Sequence, residues 1–170
     1  MRVQVIPASV EDRPTLRNLL QLYLHDFSEV LTRAPDHDGT FPYPHLDAYW
    51  TDEWRKPFLI TADGDIAGFA LVRTVSVVTG SAGVADMAEF FVVRGLRRHG
   101  VGRAAAHALF ARFRGTWEVR VIDHYSAAQA FWSAVIADAA QSPAERSSWV
   151  NDEGLRFDVF RFETAATRER

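Results

Sequence analysis

The apolar positions of this chain fall into short runs separated by polar, glycine-bearing turns, with stretches of helical spacing between them. Val3 to Pro7 predicts a first strand, and Ser9 or Asp12 can cap a helix that tolerates Pro14 in its first turn. Leu16, Leu19, Leu20, Tyr23 and Phe27 then recur at helical spacing and predict a buried stripe. Two apolar runs, Phe58 to Ala62 and Ile66 to Val72, flank Asp63-Gly64-Asp65, which predicts a hairpin over Pro57 to Arg73. Thr79 to Gly83 marks a loop and Met87 to Val93 a strand. A helix is predicted over Arg103 to Arg114, with Val101, Ala105, Leu109 and Phe113 four apart and Gly115 as its stop. Trp117 to Ile122 reads as a strand and Ala127 to Asp138 as a second helix. Asn151 to Gly154 separates Ser148-Trp149-Val150 from Phe157 to Phe162, a terminal hairpin, and the polar tail after Glu163 is expected to fray.

Between Ser28 and Trp54 the periodicity weakens, and Phe41, Tyr43, Tyr49, Trp50 and Trp54 stand among prolines and acids. They read either as ordinary packing or as substrate contacts. Asp36-His37-Asp38-Gly39 has its glycine two positions too early for a calcium loop and reads as a turn.

The most informative segment runs from Glu89 to Arg103, where a strand enters a glycine-containing turn bearing Arg94, Arg97, Arg98 and Arg103 and passes straight into a helix. Gly100 and Gly102 let the backbone bring its N–H groups close to a ligand, and the first turn of the helix adds unpaired N–H groups and the positive end of its dipole. A phosphate or pyrophosphate suits such a place. The alternative is a plain connection with solvated arginines, since the chain uses arginine almost to the exclusion of lysine, Lys56 being the single one.

Composition narrows the field. A chain of 170 residues with 48% hydrophobic residues suits one domain with one core. A net charge of −3 argues against a general nucleic-acid or membrane binder. The absence of cysteine excludes a cysteinyl acyl-enzyme and thiolate metal sites, and the six histidines show no ligand spacing, so no metal is expected. With no secretory h-region at the start, a cytoplasmic protein is expected.

Arg97-Arg98-His99-Gly100-Val101-Gly102 matches R/Q-x-x-G-x-G/A and resembles the acyl-CoA pyrophosphate loop of the GNAT N-acetyltransferase superfamily; the order of predicted elements agrees over most of the chain. The resemblance implies an α+β fold, a mixed and mostly antiparallel twisted sheet flanked by helices. It implies one domain over 1–170, with a variable helix and loop on the acceptor side (28–54) and an acyl-CoA core (87–138). The activity implied is direct transfer of an acetyl group from acetyl-CoA to a primary amine of a small molecule or peptide. The alternatives are another acyl donor or a domain that binds acyl-CoA without turnover. Nucleic acid and membrane are not expected as partners, and a homodimer is left open.

The same resemblance distributes the roles. Phe91 or Val92 would turn backbone N–H groups to the thioester oxygen, and pantetheine would pair near Val92 and Val93. The phosphates would meet the N–H groups of Arg98, His99, Gly100, Val101, Gly102 and Arg103, with Arg97, Arg98 and Arg103 as charge partners. An alkylamine titrates near ~10, so the site needs a proton acceptor. Glu89 is the first candidate, and pairing with a neighbouring arginine is its alternative; Asp86 and His124 follow. Alternation puts Met87, Glu89, Phe91 and Val93 on one face unless a bulge, common in GNAT strands here, breaks the count. Two departures stand out: Tyr125 occupies the place of a frequent asparagine, and Trp132 that of the tyrosine often proposed as general acid. Tyr125, a phenol, is then the candidate acid, with helix-start packing as its alternative. Asp36, Asp38, Asp47, Asp52 and Glu53 would suit a cationic acceptor or simply face solvent.

Overall fold

A computed structural model describes residues 1–164; most of the tail expected to fray lies outside the described residues. The strands are β1 (Val3–Pro7), β2 (Arg55–Ala62), β3 (Asp65–Val75), β4 (Ala82–Val92), β5 (Thr116–Ile122), β6 (Glu145–Val150) and β7 (Arg156–Glu163). They form one sheet in the order β1-β2-β3-β4-β5-β7-β6. It is mixed: β4 and β5 run parallel, whereas β1 with β2, β5 with β7 and β6 with β7 run antiparallel. Three helices flank it, α1 (Arg13–Leu31), α2 (Val101–Arg112) and α3 (Ser126–Ala139). This is the expected α+β class. The chain forms two compact units, Met1–Leu71 with Glu89–Gly102, and Val72–Ala88 with the chain from Arg103 onward.

In the first unit, β2 and β3 turn through Asp63 (φ 52°) and Gly64 (φ 96°), a left-handed pair that matches strand twist. Leu16 and Leu20 of α1 and Phe58, Ile60 and Phe69 of the hairpin are all buried. The rings of Tyr23, Phe69 and Phe91 meet with centroids 5.8 to 6.0 Å apart. Gly68 makes the approach of β4 possible: a Cβ there would stand 1.9 Å from the carbonyl oxygen of Phe91. Gly68→Ala is therefore expected to lower stability by roughly 1–3 kcal/mol, the usual cost of overpacking, checked by urea unfolding. Unchanged stability would show that β4 yields freely.

Helix α1 ends at Thr32, in the left-handed region (φ 51°). No full helix follows where the resemblance implied one, only a 3-10 turn at Asp47–Trp50. Pro35, Pro42 and Pro44 explain this, because each lacks an N–H and disfavours helical backbone before it. Asp36 to Thr40 is the expected turn, closed by Gly39 N–H on the Asp36 carbonyl.

In the second unit, Phe110 of α2 packs edge-on against Trp117 of β5 and Phe162 of β7 at 4.9 and 5.2 Å. Asp86 of β4, with no exposed surface, is held by Arg73 Nε at 2.8 Å and Arg120 Nε at 2.9 Å. Glu118, also buried, accepts from Ser76 Oγ at 2.6 Å and Arg161 at 2.5 Å. Arg120 further lies over the rings of Trp149 and Phe157. Burial is tolerable for these charges because each is paired and hydrogen-bonded. Thr164 is buried and bonded to Gly115, so the described chain is still anchored one residue past Glu163.

Candidate active site

Glu89 stands near the end of β4, half-buried, and its partners come from two different parts of the first unit. Tyr23 of α1 donates to Oε2 at 2.6 Å and Tyr43 donates to Oε1 at 3.0 Å. Each of the two oxygens thus accepts a hydrogen bond from a tyrosine. Burial, and next the charge of Glu89, push the Tyr43 phenol far above its ordinary value, so it stays a donor at neutral pH. Because Tyr23 touches both the carboxylate of Glu89 and the ring of Phe91, the two residues share a face, as alternation requires.

The other two candidates for proton acceptance fare differently. Asp86 is closed off by its two arginines and has no exposed surface, which removes it as a base. His124 is mostly exposed and bonds Asp123 at 2.9 Å, and that hydrogen bond holds the Asp123 carboxyl below its usual range.

After Val92 the chain makes a 3-10 turn at Arg94–Leu96, extends at Arg97, and becomes left-handed at Arg98 (φ 61°) and Gly100 (φ 83°) before α2 begins at Val101. The helix starts two residues earlier than the sequence predicts, so Gly102 lies in its first turn. The N–H groups of Val101, Gly102 and Arg103 are therefore among those without a partner inside the helix. No atom lies within 4 Å of where a Cβ on Gly100 would stand. Arg98, His99 and Gly100 are exposed, and His99 Nδ1 contacts the Arg97 carbonyl at 2.8 Å. An anion can approach this turn from solvent.

Three of the arginine side chains, those of Arg94, Arg97 and Arg103, pair with carboxylates. Arg97 donates to the Val92 carbonyl at 2.7 Å and to Asp26 at 2.5 Å, and Arg94 holds the other Asp26 oxygen at 2.9 Å. Burial would raise the Asp26 carboxyl, but the hydrogen bonds from Arg94 and Arg97 bring it below its usual range. Arg97 thus braces the end of β4. Arg103 pairs with Asp138 of α3. Val93 donates its N–H to the Ala67 carbonyl at 2.9 Å, so that donor is not available to pantetheine; Phe91 and Val92 are buried beside it.

Tyr125 precedes α3, its N–H on the Ile122 carbonyl and its own carbonyl accepting from Gln129. Trp132 is buried against Phe131 and Phe110, a core residue that leaves no acid role. In the segment 28–54, Trp50 donates to the Ala8 carbonyl, and Tyr49 and Trp54 both stack with Arg55 just beyond it. Its acids are largely engaged: Asp47 faces Arg13 and Arg17, Asp52 faces Arg55, and Asp38 holds Thr40. Tyr43 is the aromatic of that segment that reaches Glu89. The sequence places Tyr23 in the buried stripe without disclosing its partner; the signal for one was a hydroxyl on an apolar helix face.

Among the described residues no group of side chains could hold a metal ion, and no helix is long and apolar enough to cross a membrane. No curated protein matches the sequence. The fold is similar to the ribosomal-protein-S18-alanine N-acetyltransferase from Escherichia coli at 17% identity, covering 99% of both chains with a TM-score of 0.62. It is similar also to a spermidine N-acetyltransferase SpeG chimera from Vibrio cholerae and hSSAT, at 9% identity over 96% of each chain with a TM-score of 0.64. A third likeness is to yncA from Salmonella typhimurium with its cofactor acetyl-CoA, at 11% identity over 98% of this chain and 96% of that one, TM-score 0.62. The model of the acetyltransferase (GNAT) family matches residues 16–135, which carry most of α1, the hairpin, β4, the turn into α2 and most of α3, and the chain belongs to that family.

Proposed function

We propose that the chain is an acetyl-CoA-dependent N-acetyltransferase, a single catalytic domain over 1–170 that moves an acetyl group directly to a primary amine. The observation that carries this reading is the turn from Arg98 to Gly102, whose left-handed backbone leads into unpaired N–H groups of α2. Those N–H groups would hold the pyrophosphate, with Arg98 as the charged side chain best exposed to join them. Acetyl-CoA supplies the activated acetyl group. Glu89 takes the proton that the amine sheds on attack, Phe91 or Val92 N–H meets the charge developing on oxygen, and Tyr125 is the candidate proton donor to the leaving thiolate. The acceptor is a small-molecule or peptide amine, in keeping with relatives named for a protein alanine and for spermidine.

Binding tests this first. At about 100 times its Kd, acetyl-CoA is expected to add about 2.7 kcal/mol, or roughly 5–10 °C in Tm. Gly100→Val, which puts a β-branched residue in the left-handed region, is expected to weaken binding at least ~10-fold by turning the N–H groups away. Arg112→Ala serves as the control expected to bind normally. Absence of heat and of stabilisation at millimolar acetyl-CoA would remove the assignment. The occupied carboxylate of Glu89 favours a second reading, a GNAT-like domain with another acyl donor or no turnover. Thiol release across polyamines, aminoglycosides, amino acids and peptides, with longer acyl-CoAs in competition, separates the two.

A further inference from the structure

We infer that Tyr43 is a positioning residue for Glu89, its phenol fixing Oε1 of the carboxylate and tying the acceptor-side segment to the group that receives the amine proton. The inference rests on the reading of Glu89 as base. Tyr23 fixes Oε2 from α1, a regular helix, but Tyr43 comes from a stretch between Thr32 and Leu46 that has no regular element. That stretch is registered by a two-way amide contact. Phe41 N–H donates to Gln21 Oε1 at 2.7 Å, and Gln21 Nε2 donates to the Phe41 carbonyl at 3.0 Å. Two residues later the chain delivers Tyr43 to the carboxylate.

With one phenol on each oxygen, donated from two separate segments, the orientation of the carboxylate is constrained. The proton moves from the amine nitrogen to Glu89, while the phenols keep their own protons. Tyr23 of α1 and Tyr43 of the segment are among the titratable groups facing this carboxylate, and Tyr49 of the 3-10 turn acts electrostatically on Tyr43. Phenylalanine at position 43 would keep the ring and lose the donor.

The test follows the Glu89 carboxyl carbon by NMR in uniformly labelled protein as pH is varied. Losing a donor to the charged form is expected to raise the titration midpoint in Tyr43→Phe by about 3- to 10-fold in proton affinity. An unchanged midpoint in the folded variant overturns the inference. A second measurement needs no tyrosine variant: in Glu89→Ala, amide exchange over residues 36–46 is expected to quicken several-fold, and unchanged protection overturns the tie. With an acceptor from the amine panel, the acidic limb of the kcat profile of Tyr43→Phe should move with the NMR midpoint while the KM for acetyl-CoA stays put. If the midpoint moves and the kinetic limb does not, Glu89 is not the base and the positioning role falls with it; the contact between Tyr43 and Glu89 then survives as structure alone.

Discussion

Glu89→Gln is expected to leave acetyl-CoA affinity intact and to lower turnover by about 10²-fold or more, the usual scale for a lost general base. Glutamine keeps the shape and can still accept from one phenol, so the loss reports on proton acceptance rather than on packing. Raising the pH should narrow the gap, because more acceptor arrives as free amine as pH approaches the amine's own value near ~10. The measurement is kcat and KM of both proteins from pH 6 to 10 with an acceptor from the amine panel. A folded Glu89→Gln that keeps pace with wild type across this range would move the role to His124 or to the substrate itself. Asp86 is no longer a contender, since both its oxygens face guanidinium groups in the core.

The second large effect concerns that same aspartate. Asp86→Ala is expected to destabilise the protein by roughly 3–5 kcal/mol, because it strands two guanidinium groups whose side chains are only 16% and 10% exposed. For a chain of this size the loss corresponds to roughly 6–20 °C in Tm, readable by calorimetry or urea unfolding. The cost is that of leaving charge uncompensated, so Arg73→Met with Asp86→Met and Arg120→Met together should cost much less than the single change. A loss below about 1 kcal/mol for Asp86→Ala would mean that water reaches the arginines and that the pairing contributes as a surface bridge does.

What the sequence determined by itself was local. The Asp-Gly turn at 63–64, the four-residue spacing of Val101, Ala105 and Leu109, and the strand-turn-helix at Arg97 to Gly102 all follow from short-range backbone and burial rules, and each is present in the structure. Glycine and proline mark such features because they act on φ and on a single N–H, with no need of distant partners. The helix begins at Val101, two residues before the predicted start, with Gly102 inside its first turn.

Only the tertiary structure decided the partners of the charged and hydroxyl groups. Tyr23 and Tyr43 lie 66 and 46 residues from Glu89, and Asp26 lies 71 residues from Arg97. Such pairings depend on which helix face and which strand face meet after collapse, and no periodicity encodes them. The same holds for Asp86: as a letter in a strand it could have been a base, a cap or a surface acid, and its burial between Arg73 and Arg120 made it structural. A carboxylate from α1 likewise pairs with the guanidinium of Arg97, a partner that the short-range motif does not encode.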